Sequence, residues 1–470
     1  MQYKVPSLLA AILGLGFAQA ASAADMPAKA PVYKAPPAAA TNWTGFYVNA
    51  GYGYGVWSAD TTTRFANVCE TCVNQGQGGK GLLGVIGLGY DYQFAPNFLA
   101  GVFGDYNFSS LKGSIQDPVS FLEGDIKQTS AWAAGARLGL LVTPDMLAYV
   151  NGGYSRAHFS GTSLVTTFAG AATGFSTQDF NTHGWFVGGG IETGMNGFLG
   201  IFGPGWFWRN EYRYASYSNQ NIPEVGNAPL SINFKPVVQT ITSQLVYKLN
   251  TGGPTYHVAA PVAPASWTGI YVNGGVGYGV WAADTNTQFT GGTCELCANV
   301  EQGGRGWLGV VGLGYDHQLM SKFIVGVFGD YDISNLKGSI VDQAGVKEAD
   351  IKQSSAWAAG GRAGLLASPQ VLSYVNGGYT SARFSGTTMV SGLSGAPFGI
   401  STAAFNANGW FLGGGVEVAV ASGWFWRNEY RYARYSNQGI PEISAGVTVN
   451  FKPEVQTFTT QAVYKFNWPG

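Results

Sequence analysis

The stretch GWFWRNEYRYA occupies residues 205–215 and returns letter for letter at residues 423–433. At a period of two, Trp206, Trp208, Tyr212 and Tyr214 fall on one face, while Arg209, Glu211 and Arg213 fall on the other with Phe207. Such alternation marks a β-strand whose two faces meet different surroundings. If the charged face met lipid, each Arg near the bilayer midplane would cost roughly 2–4 kcal/mol. Turned inward, two guanidiniums flank a carboxylate, and pairing offsets desolvation. The charges are therefore expected inside a closed barrel.

The same alternation recurs in GLLGVIGLGYDYQF, residues 81–94. Leu82, Ile86, Leu88, Tyr90, Tyr92 and Phe94 share one face; Gly81, Gly87, Gly89, Asp91 and Gln93 share the other, with Leu83 and Val85 breaking the pattern. An apolar face ending in aromatics fits a strand that leaves the bilayer at an aromatic girdle. Composition agrees: 46% of residues are hydrophobic and 14% aromatic, with 70 glycines and only 11% charged, against about 25% charged in ordinary domains. Beyond the N-terminal segment no run approaches the ~18 apolar residues of a membrane helix. The fold class is thus all-β, a transmembrane antiparallel up-and-down β-barrel. A secreted β-sandwich or a repetitive adhesin is the competing reading. A net charge of −1 argues against nucleic acid as a partner, which would need a basic face.

Residues 1–23 carry a Lys, an apolar run and a small-residue site ending at Ala23, so they read as a signal peptide cleaved there. The bland alternative is an anchoring helix. Residues 24–42 form a Pro/Ala-rich leader on the periplasmic side. Next comes a duplication: WTGFYVNAGYGYGVWSAD at Trp43 returns as WTGIYVNGGVGYGVWAAD at Trp267, and NFKPVVQT at Asn233 as NFKPEVQT at Asn450. Residues 43–250 and 267–470 are two barrel repeats, joined by a Pro/Gly/Ala-rich linker at 251–266. Each repeat holds eight strands, starting in the first near Trp43, Lys80, Asn97, Asp125, Leu147, Gly184, Trp206 and Asn233. Short turns at 95–97 and 143–145 alternate with long connections at 59–79, 116–124, 160–182 and 218–231. That is the periplasmic-turn, extracellular-loop asymmetry of such barrels.

Inward parity adds Asp105, Arg137 and Glu192 to Arg209, Glu211 and Arg213 as a lumen ion network. The second copy repeats it as Asp330, Arg362, Glu417, Arg427, Glu429 and Arg431. A packed structural network is the favoured reading, because small barrels fill their interiors with side chains; a conductive or gating role and catalysis are the alternatives. Cys69/Cys72 and Cys294/Cys297 form two C-x-x-C pairs in the first long loop of each copy. In an oxidising compartment these are disulfide candidates, most simply local ones. A bridge between copies and a Cys₄ metal site are the alternatives. GKGLLG and GRGWLG, at residues 79–84 and 304–309, match a phosphate-loop spacing but open strands rather than helices. No position is His in both copies. The expectation is a protein that is not an enzyme, with no catalytic, cofactor or metal site.

The leader's Ala-Asp start, WTGFYVNAGYGYG in the first strand, GDY in the third, EYRY in the seventh and the closing VYKF resemble a family: the small alphaproteobacterial outer-membrane proteins of the Omp25/Omp31 type, surface antigens of rhizobia and brucellae. The resemblance spans nearly all of both copies. It implies an eight-stranded barrel related to the OmpA membrane domain, with envelope-structural and surface-antigen roles in the outer membrane of a Gram-negative cell. The implied partners are outer-membrane lipid and lipopolysaccharide, and the barrel-assembly machinery. Tyr464 and Phe466, outward in the last strand, resemble that machinery's assembly signal. Related barrels that mature to Ala-Asp can be joined to peptidoglycan, so Ala24 is a possible attachment point; the bland reading of the leader is a flexible spacer. The tandem duplication departs from the family pattern. Two eight-stranded barrels in a row are expected from the long linker and from an aromatic closing strand in each copy. The alternative is one sixteen-stranded barrel, a porin for passive diffusion of small solutes.

Overall fold

The computed structural model describes residues 42–195, 202–250, 256, 266–342, 346–443 and 445–466. All of them lie in the unit Ala40–Gly470. Eight long strands make up the first copy: β1 (Gly45–Phe65), β2 (Gln75–Ala95), β3 (Phe98–Asp117), β4 (Leu122–Thr143), β5 (Met146–Ser160), β6 (Phe180–Gly194), β7 (Trp206–Tyr217) and β8 (Leu230–Asn250). The second copy repeats them as β9 (Gly269–Phe289), β10 (Cys294–Gln318), β11 (Phe323–Asp342), β12 (Lys347–Ser368), β13 (Val371–Phe384), β14 (Phe405–Ala421), β15 (Trp424–Tyr435) and β16 (Val447–Lys465).

Every neighbouring pair is antiparallel, and in each copy the last strand returns to the first. β8 pairs with β1 from Gly45↔Asn250 to Phe65↔Leu230, and β16 pairs with β9 from Tyr271↔Lys465 to Phe289↔Val447. Closure leaves no free sheet edge, as strands in hydrocarbon require. The girdle and stripe predicted for residues 81–94 face outward, with Leu82, Ile86, Leu88, Tyr92 and Phe94 each at least half exposed. Leu83 and Val85, which break the alternation, are buried inside.

The long connections differ from the sequence expectation. Residues 59–79 and 218–231 are largely strand: β1 runs on to Phe65, β2 begins at Gln75, and a short strand spans Gln220–Val225. Residues 116–124 shrink to a turn between Asp117 and Leu122, and residues 160–182 contain the hairpin Thr162–Thr166 with Ala172–Thr177. The physical reason is that polar, Thr-rich segments such as residues 61–63 carry good β propensity. Past the bilayer they keep satisfying their backbone by pairing with the neighbouring strand.

Two apolar plugs close each lumen. At the short-turn end Trp43 lies 4.7 Å from Phe207, ring to ring, and its Nε1 donates to the Pro144 carbonyl at 2.9 Å. Towards the other end Trp57 meets Phe159 and Phe234 and donates to the Leu111 carbonyl at 3.1 Å. The Trp57 ring lies against Gly79, where an added Cβ would sit 2.2 Å from a ring carbon. A larger residue there displaces the plug.

The copies also touch each other, through contacts repeated in both directions. Tyr54 meets Tyr432 at 6.1 Å while Tyr214 meets Tyr278 at 5.4 Å. The Gly76 amide donates to Ser339 at 2.8 Å while the Glu301 amide donates to Ser114 at 2.9 Å. Such reciprocity is the mark of a near-twofold interface. Its charges are unequal: Lys80 faces Asp284, Glu301 and Glu454 at 2.9–3.6 Å, whereas Arg305 faces Asp60 at 2.8 Å. With a protease site placed in the linker, the two cut halves should migrate together on a native gel. Lys80→Glu, which sets a fourth carboxylate against three, should separate them.

Candidate functional site: the lumen ion network

Inward parity sets the network in two layers. Nearer the Trp43 plug, Arg137 on β4 donates to Asp91 on β2 at 2.8 Å and to Glu192 on β6 at 3.3 Å. Arg209 on β7 gives Glu192 two bonds of 3.0 and 2.8 Å. Lys248 on β8 closes the layer, 2.8 Å from Asp91 and 3.0 Å from Glu192. In the second layer Arg213 grips Asp105 with two bonds of 3.0 and 2.7 Å and donates to Glu211 at 2.8 Å. Glu211 also accepts from Tyr149 at 2.7 Å and Asn151 at 2.8 Å. The side chains of Arg137, Asp91 and Glu192 are at most 1% exposed.

The second copy reproduces the arrangement. Arg362 joins Asp316 and Glu417; Arg427 and Lys465 also reach Glu417. Arg431 takes Asp330 and Glu429, and Tyr374 and Asn376 donate to Glu429. One asymmetry is Asp332, beside Asp330, where the first copy has Asn107.

All twelve charges singled out by parity therefore meet a partner in these clusters. Four more charges complete them: Asp91, Lys248, Asp316 and Lys465. The signal for each was the same alternation. Asp91 follows Gly87 and Gly89 on the inward face, and Lys248 sits between the outward Tyr247 and Leu249. Gly188 and Gly190, on the inward face of β6, also belong to the network, for they clear its space. A Cβ on Gly190 would lie 2.6 Å from the Tyr149 hydroxyl.

The arrangement limits what can pass or bind. In the first copy, four cations (Arg137, Arg209, Arg213, Lys248) balance four anions (Asp91, Asp105, Glu192, Glu211). The cavity among them measures ≈ 10 Å³, room for about one water. A small-molecule site needs roughly 300–1,000 Å³.

Of the other candidates, Cys69 bonds to Cys72 and Cys294 to Cys297, each within its own copy. Among the described residues, no group of three or more His, Cys, Asp or Glu side chains is arranged to hold a metal ion. Phe466 is outward-facing, with its ring 5.1 Å from Tyr464. Ala23 and Ala24 lie outside the described residues.

The chain matches the family model "Outer membrane protein beta-barrel domain" twice, over residues 8–235 and 256–466, and belongs to that family. The 31 kDa outer-membrane immunogenic protein of Brucella melitensis is 29% identical over 245 residues, covering 49% of this chain and 96% of that protein. The resemblance to the Omp25/Omp31 type thus holds, and the protein resides in the outer membrane. Among solved structures, the Pseudomonas aeruginosa outer membrane protein OprG matches at 13% identity, covering 45% of this chain and all of that one, with a TM-score of 0.29. The Pseudomonas putida toluene transporter TodX matches at 9% identity over 90% of each chain, with a TM-score of 0.26. Neither likeness bears on function.

Glu192 gathers Arg137, Arg209 and Lys248, so its removal leaves three buried cations short of a partner. Glu192→Ala is expected to lower stability by about 3–5 kcal/mol, read as an earlier urea midpoint by tryptophan fluorescence in detergent. Glu417→Ala should do the same.

Proposed function

We propose that this outer-membrane family member acts as two closed, filled eight-stranded barrels with an envelope-structural and surface-antigen role, and not as a diffusion pore. The observation that carries the reading is the charge-balanced lumen of the first copy, whose ion pairs leave a cavity of ≈ 10 Å³ between apolar plugs at both ends; the second copy repeats the ion pairs. The pairing of β1 with β8 and of β9 with β16 supports separate rings. The name of the Brucella relatives supports the antigen role. The outward apolar faces would meet lipid, with lipopolysaccharide at the long-strand end. Tyr464 and Phe466 would be read by the assembly machinery. No step in this role requires catalysis.

The tether is the finer part of the proposal: Ala24, freed by cleavage after Ala23, would join the leader to peptidoglycan and hold both barrels to the wall. Planar-bilayer recording of the full chain should show no stepwise nanosiemens conductance, and steps of that size would make the sixteen-stranded porin the better reading. Muropeptide mass spectrometry should find the Ala24 amine in an amide bond to a cell-wall peptide. A free amine throughout would leave the leader as a spacer.

A further inference from the structure

At the long-strand end, outside the bilayer, the two copies share a carboxylate pair but differ in the residue opposite it. In the second copy Asp342 on β11 and Glu442 lie either side of Lys347, which donates to both. Lys347 is Asp342's direct cross-strand partner. In the first copy the corresponding acids are Asp117 and Glu224, and the cross-strand partner of Asp117 is Leu122. The second acid sits in the same register in both copies: Glu224 pairs with Thr177 as Glu442 pairs with Thr402.

The pair in the first copy is therefore an anionic site without its built-in ammonium. Asp117 and Glu224 are 0% and 2% exposed, and they are near enough to share a proton. Asp117 uses one oxygen to accept the amides of Val119 and Ser120 at 3.0 and 3.2 Å. Its other oxygen, Oδ2, is buried without a partner, as are Glu224 Oε1 and Glu70 Oε2 nearby. Asn227 donates to the second Glu224 oxygen at 2.9 Å. Burial, then the Asp117 charge, raises the Glu224 carboxyl to about 7. Two buried carboxylates with orphan oxygens need a positive charge between them.

We propose that Asp117 and Glu224 bind a hard divalent cation from the medium, in the position that the Lys347 ammonium fills in the second copy. Carboxylate oxygens are the ligands that calcium and magnesium prefer. With two acids closest and no tighter acidic cage around them, the ion keeps part of its water. The consequence is an outer surface whose first half is braced by divalent ions and whose second half is braced from within.

Isothermal titration of the full chain in detergent with calcium chloride at pH 8 tests this. The wild type should bind one calcium saturably, and magnesium should compete. Leu122→Lys, which copies the arrangement around Lys347, should lose that site while keeping its fold, since the second copy accommodates a lysine there. Lys347→Leu should raise the stoichiometry from one to two. Saturable binding unchanged in Leu122→Lys would overturn the assignment. So would absence of binding by the wild type. If the wild type binds no calcium but loses stability as pH rises from 5 to 7, a shared proton neutralises the pair instead. The sign follows because a carboxyl held above its unfolded value keeps its proton in the folded state over that window.

Discussion

The constraint on which the rest depends is that hydrocarbon offers no partner to a backbone amide. A strand in the membrane must pair on both edges, so the sheet must close, and here the last strand of each copy pairs with its first. Closure at eight strands produces a lumen too narrow to hold bulk water. Whatever points inward must then be satisfied by other inward side chains. Asp91, Glu192 and Arg137 are nearly inaccessible for this reason, and each of them contacts an opposite charge. The repeated WFWRNEYRY segment is the visible trace of that demand, with aromatics for lipid and charges for one another.

Much of this was legible in the residues because a strand's period is two and parity carries from one strand to the next. Knowing that Arg209 faces inward places Glu211 and Arg213 without further information. The same rule sets Asp91 on the inward face with Gly87 and Gly89, and Lys248 inward between Tyr247 and Leu249, but neither has a charge at the next inward position of its own strand to mark it as part of the network. The outer ends were less legible. Residues 61–63 and 220–225 are polar enough to read as loop, yet they pair as strand where solvent makes either choice affordable. The contact between copies left almost no local mark, since Tyr54 and Tyr278 look like any lipid-facing aromatics until a facing surface is known.

The duplication preserved the interior more closely than the outer surface. Each member of the two-layer network has its equivalent in the other copy, because changing one ion leaves another buried and unpaired. Away from the lumen the copies drift. Leu122 stands against Lys347, and Lys80 against Arg305. Within the lumen one charge differs as well, Asp332 standing where the first copy has Asn107.

Ring closure has a further consequence, for biogenesis. Pairing Gly45 with Asn250 joins residues at opposite ends of a copy, so the seam carries a large loop-closure entropy and forms slowly. While it is open, the second copy presents an opening strand nearly identical in sequence to the first. A closing strand that seals onto the wrong opening strand would trap the chain in a swapped topology, a failure typical of repeated domains. The duplication therefore favours sealing the first ring before the second emerges.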